Sequence, residues 1–291
     1  MSIITCNCAI VPAVWPCGLG RADTSPFDLQ VEESWRYVPE TFKGICDWAT
    51  VAKEDDTDQT SFSHRHLVYQ PSALPEDKRD TTFYVTVILQ GFLGEFNISV
   101  LGNWKRRDRN PASAIQFLTL ESGGVNDAFT AQLRALDNIR ALISAKVGAD
   151  TSHAELELGK ITLQRRVFTR EDTRESLLSS GTSTTSSVLG ARRANGENVE
   201  IAHTALRCGD FVEVSAYADI QVTRRNRRIR TTVHFAMREV VRLWSVDDWK
   251  QHFTRTDLSA KGEFTGHLKV HEMPSGFCIG GSRDEDLVME A

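Results

Sequence analysis

The 291-residue chain lacks several features that would classify a protein at once. It contains no run of about 18 apolar residues, so the sequence predicts no transmembrane helix. It has six cysteines, which are too few to define a disulfide scaffold in a chain this long. It contains no GxSxG, no phosphate-binding loop, no GxGxxG after a strand and no HExxH. We therefore expect a protein that is not an enzyme and has no cofactor.

The first twenty residues, MSIITCNCAIVPAVWPCGLG, are apolar but differ from a secretory signal. They lack a basic start and are interrupted by prolines, so we expect them not to be cleaved. The cysteines are interpreted as free thiols in a reducing compartment. The sequence thus predicts an intracellular protein, in the nucleus rather than the cytoplasm, without membrane contact. Four cysteines are close enough in sequence to bind zinc, but they form no CxxC pair: Cys6, Cys8, Cys17 and Cys46.

Charge is distributed unevenly along the chain. The formal net charge is -5, so the whole protein is not a general binder of polyanions, and any such site must be local. The span from Glu32 to Asp58 contains eight acidic and three basic residues. His64 and His66 fit one face of a strand, but no carboxylate or thiolate is paired with them, which disfavours a metal site.

The clearest structural pattern lies in residues 209–243, GDFVEVSAYADIQVTRRNRRIRTTVHFAMREVVRL. Apolar residues occupy every second position in 212–222, and the alternation resumes with Ile229, Thr231, Val233, Phe235 and Met237. This alternation predicts two strands, 210–223 and 229–243, each with an apolar and a polar face. The pattern slips at Glu239–Val240, which is typical of a β-bulge. The five residues Arg224–Arg228 are predicted to form the tip of a long hairpin.

The remaining periodicity predicts three strands and one long helix before the hairpin. The strands cover 81–90, 95–102 and 113–120, with a turn at Gly91–Gly94. Apolar residues at helical spacing follow from Asn126 and stop before Gly148, which predicts a helix over 126–147.

Weaker patterns surround these elements. Residues 155–168 predict a strand or a strand pair, and the Ser/Thr-rich segment 173–194 predicts a flexible loop. Ser245 and Asp248 fit a variant of the capping box and predict a short helix that carries Trp249 and Phe253.

These elements divide the chain into three regions. Residues 1–80 are predicted to be an irregular N-terminal region with short strands that packs on the core. Residues 81–260 are predicted to form a β-barrel domain with a flexible insertion at about 171–200. Residues 261–291 are predicted to form a C-terminal extension with an acidic tail.

The predicted order of elements, three strands followed by a helix and two further strands, resembles that of the OB-fold, a five-stranded Greek-key barrel. The resemblance covers about half the chain, and it departs from the fold in its short first loop and in the large insertion at 150–205. It implies that the hairpin tip joins strands four and five, and that the basic segment 103–111 joins strands two and three. A β-sandwich or jelly roll made of the same strands is the alternative. The chain is also similar to proteins predicted from fungal genomes, a similarity that implies no activity.

The local concentration of arginine suggests a function. Seven arginines and one acid, Glu239, lie between residues 221 and 242. Arginine forms bidentate hydrogen bonds with phosphate, and aromatic rings stack on unpaired bases. The sequence therefore predicts non-enzymatic binding of single-stranded DNA or RNA. The residues predicted to bind are Arg224, Arg225, Arg227, Arg228, Arg230, Lys105, Arg106, Arg107, Arg109, Trp104, Tyr217 and His234.

Other interpretations of the same residues stay open. The basic tip also fits a solvated hairpin end that docks on the acidic N-terminal region. Trp104 fits packing over the barrel end, and Tyr217 fits packing under the insertion. The alternative function is a structural or assembly protein, capsid-like or scaffold-like, whose basic hairpin meets an acidic protein partner or a second copy of the chain.

Overall fold

The computed structural model describes residues 1–7, 9–20, 33–53, 62–104, 114–147, 159–167, 188–192, 197–225 and 228–255. For residues 17, 53, 62–63, 223–225, 228–230 and 252–255 it describes the backbone alone. In these ranges twelve strands join one mixed sheet. The strands are β1 (Ser2–Cys6), β2 (Ala9–Ile10), β3 (Tyr37–Val38), β4 (Ala49–Lys53), β5 (Phe62–Tyr69), β6 (Thr86–Asn97), β7 (Ile115–Glu121), β8 (Ile161–Arg166), β9 (Val188–Arg192), β10 (Asn198–Glu200), β11 (Phe211–Arg225) and β12 (Arg228–Trp244). The α-helices are α1 (Val11–Val14), α2 (Phe42–Trp48), α3 (Asn126–Val147) and α4 (Val246–Arg255).

The predicted hairpin is the central pair of the sheet, β11 and β12. Its strands extend further than the alternation predicts, because Arg225 pairs with Arg228 and only two residues connect them. The prediction of a five-residue tip is therefore wrong. The bulge is confirmed one residue from the predicted slip, since Ser215 pairs with Glu239 and Ala216 pairs with Met237. One face of β11 is buried in the core, through Val212, Val214, Ala216, Ala218, Ile220 and Val222.

The two strands predicted over 81–90 and 95–102 are largely one strand, β6. The predicted turn at Gly91–Gly94 lies inside it, where β6 pairs with β11 on one side and β7 on the other. A Cβ at Gly91 would lie 3.1 Å from the Glu121 carbonyl oxygen and from the Leu120 Cβ. Gly91 therefore permits a close approach of β7 rather than a change of chain direction.

Both predicted helices are confirmed. The long helix α3 has the predicted bounds, and its apolar face joins the core through residues such as Phe129, Ile139 and Ile143. At the start of α4 the Ser245 Oγ accepts a hydrogen bond from the Asp248 N–H at 3.1 Å, as the capping-box pattern predicts.

The N-terminal region, for which the sequence predicts irregular structure with short strands, supplies five strands. β1 lies parallel to β6 and β3, and the hairpin of β4 and β5 pairs with β11. Two strands also lie inside the segment predicted to be a flexible insertion. β9 pairs in parallel with β12, and β10 pairs with β9 at the edge of the sheet.

A mainly β protein with one long helix is thus confirmed, but the five-stranded OB-like barrel is not. The sheet runs from β11 through β6 and β7 to β8, and β8 then lies against β12. In the described ranges no strand pairing joins β8 to β12, so the sheet is not closed. The alternative sandwich of two separate sheets does not match this single sheet either.

Candidate nucleic-acid interface

The polar face of the central hairpin is built by strand register. Residues paired across antiparallel strands share a face, and side chains alternate between faces along each strand. Asp219 pairs with His234 of β12 and with His66 of β5, while Gln221 pairs with His64. We call the surface formed by Tyr217, Asp219, Gln221, His234, His64 and His66 the polar face.

A chain of hydrogen bonds holds the centre of the polar face. Asp219 Oδ1 lies 3.3 Å from His64 Nδ1, and Asp219 Oδ2 accepts a hydrogen bond from Gln221 Nε2 at 2.9 Å. The Gln221 Oε1 in turn accepts one from the Arg166 guanidinium at 2.9 Å. Gln164, also on β8, is hydrogen-bonded to His234. These side-chain bonds connect β8 to β11 and β12, at the place where β8 lies against β12 without strand pairing.

The ionised form of Asp219 is stabilised within this network. Burial raises the pKa of its carboxyl, but the hydrogen bonds from His64 and Gln221 outweigh burial and hold the pKa below its usual value. The carboxylate is therefore ionised at neutral pH and already occupied by two donors.

Tyr217 lies on the polar face as the alternation predicts, but it is only partly exposed. Burial raises the pKa of its phenol, and the positive charges of Arg165 and Arg238 act against that shift. The structure places the predicted Tyr217 and His234 on one face with Arg166, which the sequence pattern did not single out.

Trp104 belongs to a different environment. It packs on a small cluster formed by Ala114 and Val167, beside Leu101, and its backbone N–H donates to the Leu101 carbonyl at 3.1 Å. This contact matches the packing alternative for Trp104, and its participation in binding stays a prediction.

The nine predicted arginine and lysine residues form two groups. Lys105, Arg106, Arg107, Arg109 and Arg227 lie outside the described residues. The backbone alone is described for Arg224, Arg225, Arg228 and Arg230.

Backbone register nevertheless assigns positions to these four arginines. Arg225 pairs with Arg228, and Thr223 pairs with Arg230, in the same alternation as Asp219 with His234. These three arginine positions therefore continue the polar face toward the hairpin end. Arg224 pairs with Ile229 and belongs to the other face.

Sequence reasoning missed several members of this surface. Arg166 and Gln164 lie on a strand whose neighbour could not be inferred from the sequence. Tyr84 is 61% exposed, and its ring centroid lies 5.0 Å from that of His66. The alternation over 81–90 does place Tyr84 on the polar side of its strand, but only the pairing with β5 brings it to this surface.

The described residues contain no group of three or more His, Cys, Asp or Glu side chains positioned to hold a metal ion. Within those same ranges, no helix has both the length and the apolar character needed to cross a membrane.

Comparison with known proteins finds weak similarity among solved structures alone. No protein-family model matches the chain, and no curated protein matches it in sequence. Among solved structures it is similar to gp2.5, a single-stranded DNA-binding protein encoded by bacteriophage T7, with a TM-score of 0.34 and 11% identity. The similarity covers 61% of this chain and 98% of the phage protein. A similarity this weak carries no inference about what this chain binds.

Proposed function

We propose that the protein binds single-stranded nucleic acid, DNA or RNA, along the polar face and does not catalyse a reaction. The observation that supports the proposal most directly is the composition of one continuous surface. Rings and a guanidinium group converge there from three separate parts of the chain: Tyr217 and His234 on the hairpin, His64 and His66 on β5, and Arg166 on β8.

The electrostatics of the surface suit a phosphate backbone. The ionised Asp219 is hydrogen-bonded to His64 and Gln221, so donors already occupy both of its oxygens at the centre of the face. The register continues the surface into the positions of Arg225, Arg228 and Arg230. Arginine binds phosphate in any sequence context, so we expect tight binding to depend on charge and to show little sequence preference.

The proposal extends to the residues predicted from sequence alone. Arg224, Arg227 and the basic segment from Lys105 to Arg109 would add phosphate contacts at the ends of the face. Binding of DNA or RNA also fits the nuclear location that the sequence predicts, and that location stays a prediction.

The direct test is a fluorescence-anisotropy titration of labelled single-stranded DNA and RNA of about 20 nucleotides with the full chain. Between about 50 and about 200 mM salt we expect the affinity to fall by about tenfold or more, because each phosphate contact releases counterions. Absence of binding at the lower salt concentration, or affinity that salt does not change, would contradict the proposal.

A further inference from the structure

Tyr84 is the most exposed of the large hydrophobic side chains in the described ranges, at 61%. Exposure alone does not identify a site, since single exposed aromatic residues are common on protein surfaces. Tyr84 differs in its position, because it adjoins the polar face rather than an isolated loop.

The backbone on both sides of Tyr84 is held to the sheet. Tyr84 forms a β-bridge with Val68 at the end of β5. The Tyr69 N–H donates to the Phe83 carbonyl at 3.1 Å, and the Val85 N–H donates to the Leu67 carbonyl at 2.9 Å. A ring on such a backbone is presented to solvent at a defined place with little conformational freedom to lose on binding.

Two contacts connect Tyr84 to the polar face. Its ring meets the His66 ring edge to face, with centroids 5.0 Å apart and planes at 76°, and His66 pairs with Asp219. Thr86, two residues further along the same alternation, pairs with Tyr217. Tyr84 therefore stands at the border of the face, with its orientation set by His66.

We infer that Tyr84 stacks on an unpaired base and gives the polar face its preference for single-stranded over duplex nucleic acid. This inference rests on the proposed function. The arginines bind phosphates, which single-stranded and duplex nucleic acid both present. Phosphate contacts alone therefore cannot distinguish the two forms. An exposed ring can distinguish them, because the faces of bases inside a duplex are already covered by neighbouring bases.

The test compares full-length wild type with Tyr84→Ala and Tyr84→Phe. Phe42→Ala is the matched control, since Phe42 is an exposed aromatic residue on α2, which packs on α3. Three labelled probes of equal length are titrated: oligothymidylate, an abasic strand and a mixed-sequence duplex. Circular dichroism melting confirms that each variant is folded.

We expect Tyr84→Ala to weaken oligothymidylate binding by about tenfold, because stacking of one base on a ring contributes about that much. Tyr84→Phe and Phe42→Ala should bind like wild type, and Tyr84→Ala should match wild type on the abasic strand and the duplex.

Two results overturn the inference and leave the proposed function standing. One is unchanged oligothymidylate affinity in Tyr84→Ala, and the other is an equal loss on the abasic strand. A wild-type protein that binds none of the probes overturns both.

Discussion

Asp219 of β11 and His64 of β5 join the two strands diagonally, with Asp219 Oδ1 3.3 Å from His64 Nδ1. The two residues are far apart in sequence, and the strand pairing that brings them together also builds the polar face. The pKa of the Asp219 carboxyl should therefore depend on whether this part of the sheet is formed.

The stability of the protein should depend on the ionisation of Asp219. Its folded-state pKa is lowered, so its contribution is present above the unfolded-state pKa of about 3.9 and is lost as the pH falls through the folded-state value. We expect Asp219→Asn to cost about 1–2 kcal/mol at pH 7, because hydrogen bonds to a charged group are lost. Urea unfolding at neutral pH and in acid should show this difference shrinking in acid.

Asp247→Asn is the control, because Asp247 is 70% exposed. It should change stability little at either pH. An equal loss for Asp219→Asn at neutral and acidic pH would contradict the pKa argument.

The ion pair between Arg192 and Glu213 should stabilise the attachment of β9. Arg192 lies 3.2 Å from Glu213 Oε1, and their side chains are 5% and 14% exposed. We expect Arg192→Met to cost about 3 kcal/mol in guanidinium unfolding, since it leaves a largely buried carboxylate without its cation. Replacing both residues, by Met and Gln, should cost less than Arg192→Met alone. A double variant that is less stable than the single one would contradict this account.

Gln132 of α3 should be essential to the packing of the helix on the sheet. Its side chain is fully buried, accepts a hydrogen bond from the Gln90 N–H at 2.6 Å and donates one to the Gln90 carbonyl at 2.9 Å. Gln132→Leu keeps the size and leaves two buried backbone groups unpaired, so we expect a loss of about 2–4 kcal/mol by thermal or urea unfolding. Asn138→Ala, which removes an exposed bond to the Glu40 carbonyl, is the control and should have a small effect. Equal effects of the two variants would show that Gln132 acts only by filling space.

The arginines of the hairpin tip should set the salt dependence of binding. Replacing Arg224, Arg225, Arg227 and Arg228 by alanine should weaken oligonucleotide binding and reduce the slope of log affinity against log salt by roughly 3. The measurement is anisotropy over a series of salt concentrations.

The matched control removes four positive charges at exposed positions elsewhere in the chain, Arg79, Arg134, Lys146 and Arg207. It should leave the slope nearly unchanged. Unchanged oligonucleotide affinity in the tip variant would show that these arginines do not take part in binding.

Elements with strong local signals were predictable from the sequence. The alternation around Val214 and Ile220 defined both strands of the hairpin, and the helical spacing after Asn126 defined α3 with the bounds that are observed. The capping pattern at Ser245 also located α4. Each of these patterns lies within a single helix or strand. It can therefore be recognised without knowing which segments pack together in the fold.

Gly91 shows where local reasoning failed. A glycine between two β-like segments predicts a turn as readily as a strand interior, and only the approach of β7 distinguishes them. The candidate site also depends on pairings that no local pattern shows. Alternation correctly placed Tyr217 and His234 on a polar face, while Arg166 and Tyr84 joined it through pairings between segments distant in sequence.

The amino-acid sequence by itself determined which residues of each strand are apolar, where the long helix begins and ends, and where the arginines are concentrated. These properties follow from side-chain chemistry and from the short-range periods of strand and helix. The tertiary structure alone decided that β1 lies beside β6, that β9 runs parallel to β12 and that the sheet is not closed. Strand partners are chosen by the packing of the whole core and the register of long-range hydrogen bonds, and no local pattern contains that information.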